Sequence, residues 1–189
     1  METTTQIYLQ ITMEGGTVID GESVAGGYEG RIDIDSFTFN AKAKKESLKD
    51  IEKGVKANID FKTISFSKVF DRATLHLASV MQGTGGAKRK KFTEAVISID
   101  QQYVSGERVG KHRNEIVIFT MYDGYIAQVK LRNTEAGAGA SIKDDVELSF
   151  HNFDFTYYAE DRNAKGKLDD PSNWRPLPFF YQTEREVQE

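Results

Sequence analysis

The chain has 189 residues, 39% of them apolar and 29% charged, with a formal net charge of -4. On a prior of ~150 residues per domain this is one domain, and the composition is that of a soluble globular protein, not a disordered chain or a membrane protein. The complete lack of cysteine excludes disulfide frameworks, thiolate zinc sites, iron–sulfur clusters and cysteine nucleophiles together, and the mild negative charge gives no global attraction to nucleic acid. No apolar run approaches the ~18 residues that cross a bilayer. The opening Met1-Glu2-Thr3-Thr4-Thr5-Gln6 lacks the basic start and apolar stretch of a secretory signal peptide. The expectation is a protein made soluble in the cytoplasm, with no membrane anchor. Export by a machine that ignores signal peptides stays open.

Period-two patterning dominates the chain, and all three prolines (Pro171, Pro176, Pro178) fall in its last tenth, which leaves the rest free for continuous strand pairing. Ile7, Leu9 and Ile11 alternate with polar neighbours, and a Gly-rich excursion follows (Gly15-Gly16, Gly26-Gly27). Ile32 and Ile34 alternate, then Phe37 and Phe39; Ile59 and Phe61, then Ile64 and Phe66; Val146, Leu148 and Phe150, then Phe153, Phe155 and Tyr157. In these three segments the apolar phase slips by one residue, at Asp35-Ser36, Lys62-Thr63 and His151-Asn152. A slip turns every later side chain to the other face unless a β-bulge absorbs it. Repeated bulges predict strongly curved strands and hence a compact β-barrel.

One clear helix interrupts the strands. Asp71 is a good N-cap, Ala73, Leu77, Val80 and Met81 recur at helical spacing, and Gly83 stands where a helix stops. A weaker helical pattern, with Ser47 and Asp50 in a capping box, spans about residues 48 to 56, where Gly54 counts against it. Ala95, Ile97 and Ile99 mark a further strand. Ile116–Leu131 admits two readings: a hairpin turning at Asp123-Gly124, which the local signal favours, or one long strand kinked at Gly124.

Candidate chemistry thins out on inspection. His76, His112 and His151 have no metal-ligating neighbour at a useful spacing, and no Gly-x-Ser-x-Gly elbow exists. Asp161–Gly166 begins like a calcium loop but has Lys165 at its fifth position and Ser172 at its twelfth, so it reads as a turn. Gly83–Lys88 follows a helix instead of opening one, unlike a phosphate-binding loop. Lys88–Lys91 and Arg108, Lys111, His112 and Arg113 form basic loops without the aromatic platforms that nucleic-acid binding needs. Such loops can instead face acidic patches on a neighbouring copy, such as Asp144-Asp145, Glu160-Asp161 or Asp169-Asp170. Asp33 and Asp35, at i and i+2, share a strand face and read as a solvated edge. No enzyme signature, metal site or cofactor site emerges.

The segment Asn40–Asn58 carries six lysines (Lys42, Lys44, Lys45, Lys49, Lys53, Lys56) against Glu46, Asp50 and Glu52, a local balance of +3. In an acidic protein it is either a solvated excursion or an adhesive arm that docks on another subunit.

The order of elements resembles a known family. Ile64–Ala78 combines a strand of pattern xSFxK, an acidic helix cap, Thr74 shortly after it and a small-residue helix. Val146–Tyr158 is similar to a second, aromatic-rich family strand. Together with Ile7–Thr12, Ile32–Phe39 and Glu94–Asp100, these resemble the hemolysin-coregulated protein (Hcp) family, the tube component of bacterial type VI secretion, over roughly residues 5–160. The resemblance implies a β-barrel with a flanking helix over residues 1–160, followed by an extension over 161–189 that carries Trp174, Phe179, Phe180 and Tyr181. It also implies one bent strand over Ile116–Leu131. It further implies a non-enzymatic, cofactor-free subunit that forms hexameric rings, which stack into a hollow tube propelled out of the cell. The spike protein, the contractile sheath and effector cargo are its implied partners, and Asn40–Asn58 is its implied ring-stacking arm. A tail-tube subunit of a phage or phage-like contractile particle is the alternative.

Overall fold

A computed structural model of the chain describes residues 3–43, 59–83, 89–103, 115–134, 141–160 and 174–181. In chain order its strands are β1 (Thr3–Met13), β2 (Ile32–Ile34), β3 (Ser36–Ala43), β4 (Ile59–Val69), β5 (Phe92–Tyr103), β6 (Glu115–Asn133), β7 (Ile142–Ser149), β8 (Asn152–Glu160) and β9 (Trp174–Tyr181). One helix, α1 (Arg72–Gln82), follows β4. The segment expected to hold the weaker helix, and the turn at 161–166, lie outside the described residues.

The strands form a single antiparallel sheet in the order β2-β1-β5-β6-β7-β4-β3, with β8 paired to β6 and β9 paired to β8. The hydrogen-bonded path ends at β2 on one side and β3 on the other, so the sheet is not closed into the expected barrel. Those two ends are nevertheless successive in the chain. Only Asp35 separates them, and its N–H donates to the Ser67 carbonyl at 2.7 Å.

All three predicted phase slips mark places where the backbone changes course. At Asp35 the chain leaves β1, where Ile34 lies opposite Ile7, and joins β4, where Ser36 lies opposite Ser67. At Lys62-Thr63, β4 advances three residues from Phe61 to Ile64 while β3 advances two from Phe39 to Ala41, so the extra residue sits on β4. The third slip separates β7 from β8. Both run beside β6, with Ser149 opposite Tyr125 and Asn152 opposite Tyr122.

The same bend settles the reading of residues 116–131. They belong to one strand, β6, as the family resemblance implies, and the hairpin favoured by the local signal at Asp123-Gly124 does not form. Asp123 instead adopts φ 53 and kinks the strand. Gly124 is needed there because a Cβ would meet the Phe92 ring and the Ser149 carbonyl oxygen, each at 2.2 Å. A two-residue turn needs its flanking runs to pair with each other, and here both halves of β6 find better partners in β5, β7 and β8.

The curl of the sheet brings distant strands together over an aromatic core. Phe39 of β3 lies 5.0 Å from Phe119 of β6 and 5.1 Å from Phe153 of β8, ring centroid to centroid, and Phe119 stacks on Phe153 at 5.2 Å. Leu9, Ile11, Ile32, Ile64, Ala95, Ile97, Met121, Val146 and Leu148 fill the rest, all buried. At ~25 cal/mol per Å² of apolar surface removed from water, these alternating positions supply the main driving force for the curl.

Candidate assembly surfaces

The helix is fixed to the sheet by charge as well as by its apolar stripe. Asp71 caps it: its carboxylate accepts from the Thr74 N–H at 3.2 Å, and the Thr74 hydroxyl oxygen accepts from the Asp71 N–H at 3.2 Å, a reciprocal capping box. Beneath that cap Lys68 is completely buried. Its ammonium group lies 2.5 Å from the Asp71 carboxylate and 2.9 Å from the Asp144 carboxylate, and donates to the Thr74 hydroxyl and the Val69 carbonyl, each at 2.9 Å. The Thr74 hydroxyl donates in turn to Asp144, which is also fully buried. Strand β4, the helix cap and β7 thus meet in one ionic knot, which explains why the stretch Ile64–Ala78 has its pattern of lysine, acidic cap and threonine. Asp144 corrects a sequence expectation. The expected Asp144-Asp145 acidic patch is split, because alternation along β7 turns the two to opposite faces.

The outer face of β4, β6 and β7 carries exposed charges. Arg132 on β6 holds Asp145 on β7 at 2.9 Å and donates to the Ser67 hydroxyl at 3.2 Å, and Lys143 holds Asp35 at 2.9 Å. Where β4 ends and β7 begins, Val69, Phe70, Leu131 and Ile142 stand exposed, and the Phe70 N–H donates to the Ile142 carbonyl.

The Gly-rich excursion between β1 and β2 is tightly folded. Gly21 donates to the Gly30 carbonyl at 2.8 Å, and a Cβ on Gly21 would lie 2.1 Å from the Arg31 carbonyl oxygen. Tyr28 stacks on Tyr8 with centroids 4.0 Å apart, under the Arg31 guanidinium at 5.0 Å. Burial, with the negative charges of Asp33 and Asp100, raises the Tyr8 phenol above its ordinary value. Between this excursion and the β1–β2 margin runs an open groove of about 740 Å³. Ile7, Tyr8, Val24 and Ile34 give it apolar walls, and Asp33, Asp35 and Lys143 charge it. Sequence reading passed over this groove, though the density of acids between Glu14 and Asp35 was visible there.

Of the arm lysines, Lys42 lies at the far end of β3, opposite Asp60 of β4. Lys44, Lys45, Lys49, Lys53 and Lys56 lie outside the described residues, as do His112 and Arg108. His76 sits exposed on α1 and His151 exposed in the β7–β8 bend. Among the described residues no cluster of three or more metal-ligating side chains occurs, and no helix is long and apolar enough to cross a membrane.

Among the described residues, three margins end the ladder: β2, β3 and β9. In β9, Pro176 and Pro178 lie opposite Tyr158 and Thr156 of β8 and contribute no N–H. What the fold presents to its surroundings is therefore strand margins, charged faces and a mixed groove around a curled sheet. Among the described residues, that defines a mainly β protein of one antiparallel sheet with a single helix.

Comparison with known proteins makes the assignment specific. The family model described as "Type VI secretion system effector, Hcp" matches residues 8–157. The chain belongs to the Hcp family of type VI secretion. Among solved structures, Hcp1 from Salmonella typhimurium is 20% identical with a TM-score of 0.61, covering 94% of each chain. Hcp1 from the E. coli EAEC 042 pathovar is 15% identical with a TM-score of 0.63, covering 93% of this chain and 97% of that one. A structure described as a type six secretion system protein is 16% identical with a TM-score of 0.66, covering 95% and 96%. At these identities the likeness speaks for the fold. A search of curated proteins finds no match.

Proposed function

We propose that this protein is a structural, non-enzymatic subunit of a type VI secretion tube. Its copies close into hexameric rings, and the rings stack into a hollow tube that leaves the cell by contraction. The observation that carries this reading is the family match across residues 8–157, joined to a sheet that ends, among the described residues, in three strand margins. A subunit interface made from two different margins of one protein generates a ring when its rotation closes, and further contacts along the axis generate a tube. In this reading the curled sheet acts as a barrel, residues 1–160 form the ring-building unit, and residues 161–189 are an extension that adds β9. Lys42, Lys44, Lys45, Lys49, Lys53 and Lys56 form a ring-stacking arm. Effector proteins travel in the lumen, a spike protein sits at the tip, and a sheath surrounds the tube.

Light scattering on the purified chain, followed by negative-stain imaging, tests the reading. The expected result is a particle of several subunits' mass and annular images. A single-chain mass at every concentration and salt level overturns it.

A further inference from the structure

Of the strand margins, β9 differs from the other two in its backbone. Neither β2 nor β3 contains proline, whereas β9 holds two. Its eight residues pair one for one with β8, from Trp174 opposite Glu160 to Tyr181 opposite Phe153, and the ladder runs unbroken through Pro176 and Pro178. In an antiparallel pair, opposed residues alternate between two kinds. Those of one kind exchange two N–H···O bonds, and those of the other point their N–H and C=O away from the partner. Proline has no N–H to exchange. An unbroken ladder therefore puts both prolines at positions of the second kind. The bonds to β8 come from the pairs beside them, Leu177 with Tyr157 and Phe179 with Phe155. The outward backbone positions of β9 are then Trp174, Pro176, Pro178 and Phe180. At the two central ones a proline ring takes the place of the donor that an added strand would need.

The strand that β9 covers is one whose bare edge would be adhesive. On its other side β8 pairs with β6. It carries Phe153, Phe155, Tyr157 and Tyr158, no proline, and Asp154 as the single charge before Glu160. An aromatic, weakly charged strand with an open edge is a template for pairing with other chains. We propose that β9 seals the sheet: it covers the aromatic edge of β8 and, through Pro176 and Pro178, offers no continuous edge of its own. Another strand can then be added at β2 or β3 but not at β9. This inference stands independently of the tube reading, since it concerns the margin that copies of the chain do not use.

Hydrogen exchange on the native chain tests the register. The Arg175, Leu177, Phe179 and Tyr181 amides are expected to exchange severalfold more slowly than those of Trp174 and Phe180, an alternation that fraying from the strand ends does not produce. Any other pattern overturns the inference. Two variants test the seal. Pro176→Thr with Pro178→Thr restores both outward donors, and thioflavin-T-positive assembly under agitation is expected to begin severalfold sooner than in the native chain. Pro176→Lys with Pro178→Lys restores the same donors but charges the margin, and is expected to keep close to the native time. No acceleration in the threonine variant overturns the seal. Equal acceleration in both variants also overturns it, because the cause is then a weakened β9 and not an opened edge. Multi-subunit particles, or their absence, in light scattering of the native chain bear on the tube reading alone.

Discussion

The knot under the helix and the charged groove beside β2 use the same residue types to opposite ends. Lys68 and Asp144 are fully buried and answered by Asp71, Thr74 and a backbone carbonyl. Asp33, Asp35 and Lys143 stand at the surface, with one ion pair among them. Charges taken from water demand partners, because an unpaired ion inside a protein is costly. Charges left in water demand little and remain available to another molecule. The comparison teaches that in this protein burial decides whether a lysine–aspartate pair is locked into the fold or stays available at the surface.

The largest expected effect comes from breaking the buried pair on one side. Lys68→Met strands Asp144 beneath the helix and is expected to cost about 3–5 kcal/mol, read as a lower urea midpoint. Lys68→Met combined with Asp144→Leu removes both charges and is expected to recover at least half of that loss, because matched apolar groups need no partners. A double variant as unstable as the single one would show that packing around Lys68, not its charge, holds the helix in place.

That knot was half legible in the sequence. Lys68, Asp71 and Thr74 fall within one short stretch whose capping pattern can be read directly, and the helix ends where Asp71 and Gly83 place them. Asp144 could not be found the same way, because its partners lie 70 and more positions away and only strand pairing brings Lys68 opposite it. The phase slips were legible for a related reason: alternation is a local signal, and a break in it records a bend in the backbone. The local hairpin signal at Asp123-Gly124 misleads because a turn dipeptide is here outweighed by long-range pairing on both sides of β6, which gives the bent strand the family resemblance implies. The groove joins β1, the excursion and β2 with Lys143 of β7, so no single window of sequence contains it.

Tyr122 stands between the two extremes and gives the comparison a pH axis. Its hydroxyl, half-buried at the bend of β6, donates to Asp154 of β8 at 2.9 Å. Burial first, then the hydrogen bond to Asp154 and that carboxylate's charge, push its pKa up from 10.0 to about 12. The folded state thus holds this proton more tightly than the unfolded chain does. The stabilisation is complete below pH 10, declines as pH rises toward 12, and is gone above it. Tyr122→Phe is expected to cost about 1–2 kcal/mol at neutral pH, and the gap between the two proteins closes between those limits. Paired urea titrations across that range check it. A gap that stays constant to the alkaline end would assign the cost of the substitution to packing.

The smallest effect belongs to the exposed end of the comparison. Arg132 and Asp145 form a well-aligned pair, yet their side chains remain 46% and 39% exposed. Water already solvates both groups, and holding two side chains in one geometry costs entropy, so Arg132→Ala is expected to lower stability by only about 0.2–1 kcal/mol. The remaining difference should fade at high salt, where exposed charges are screened, whereas the Lys68→Met loss should persist there because its charges lie beyond the reach of mobile ions. Urea midpoints of both variants at low and high salt measure this directly. If Arg132→Ala matched Lys68→Met in size and salt resistance, burial would not be what separates structural from available charge, and the outer face of β4, β6 and β7 would have to be counted as part of the framework.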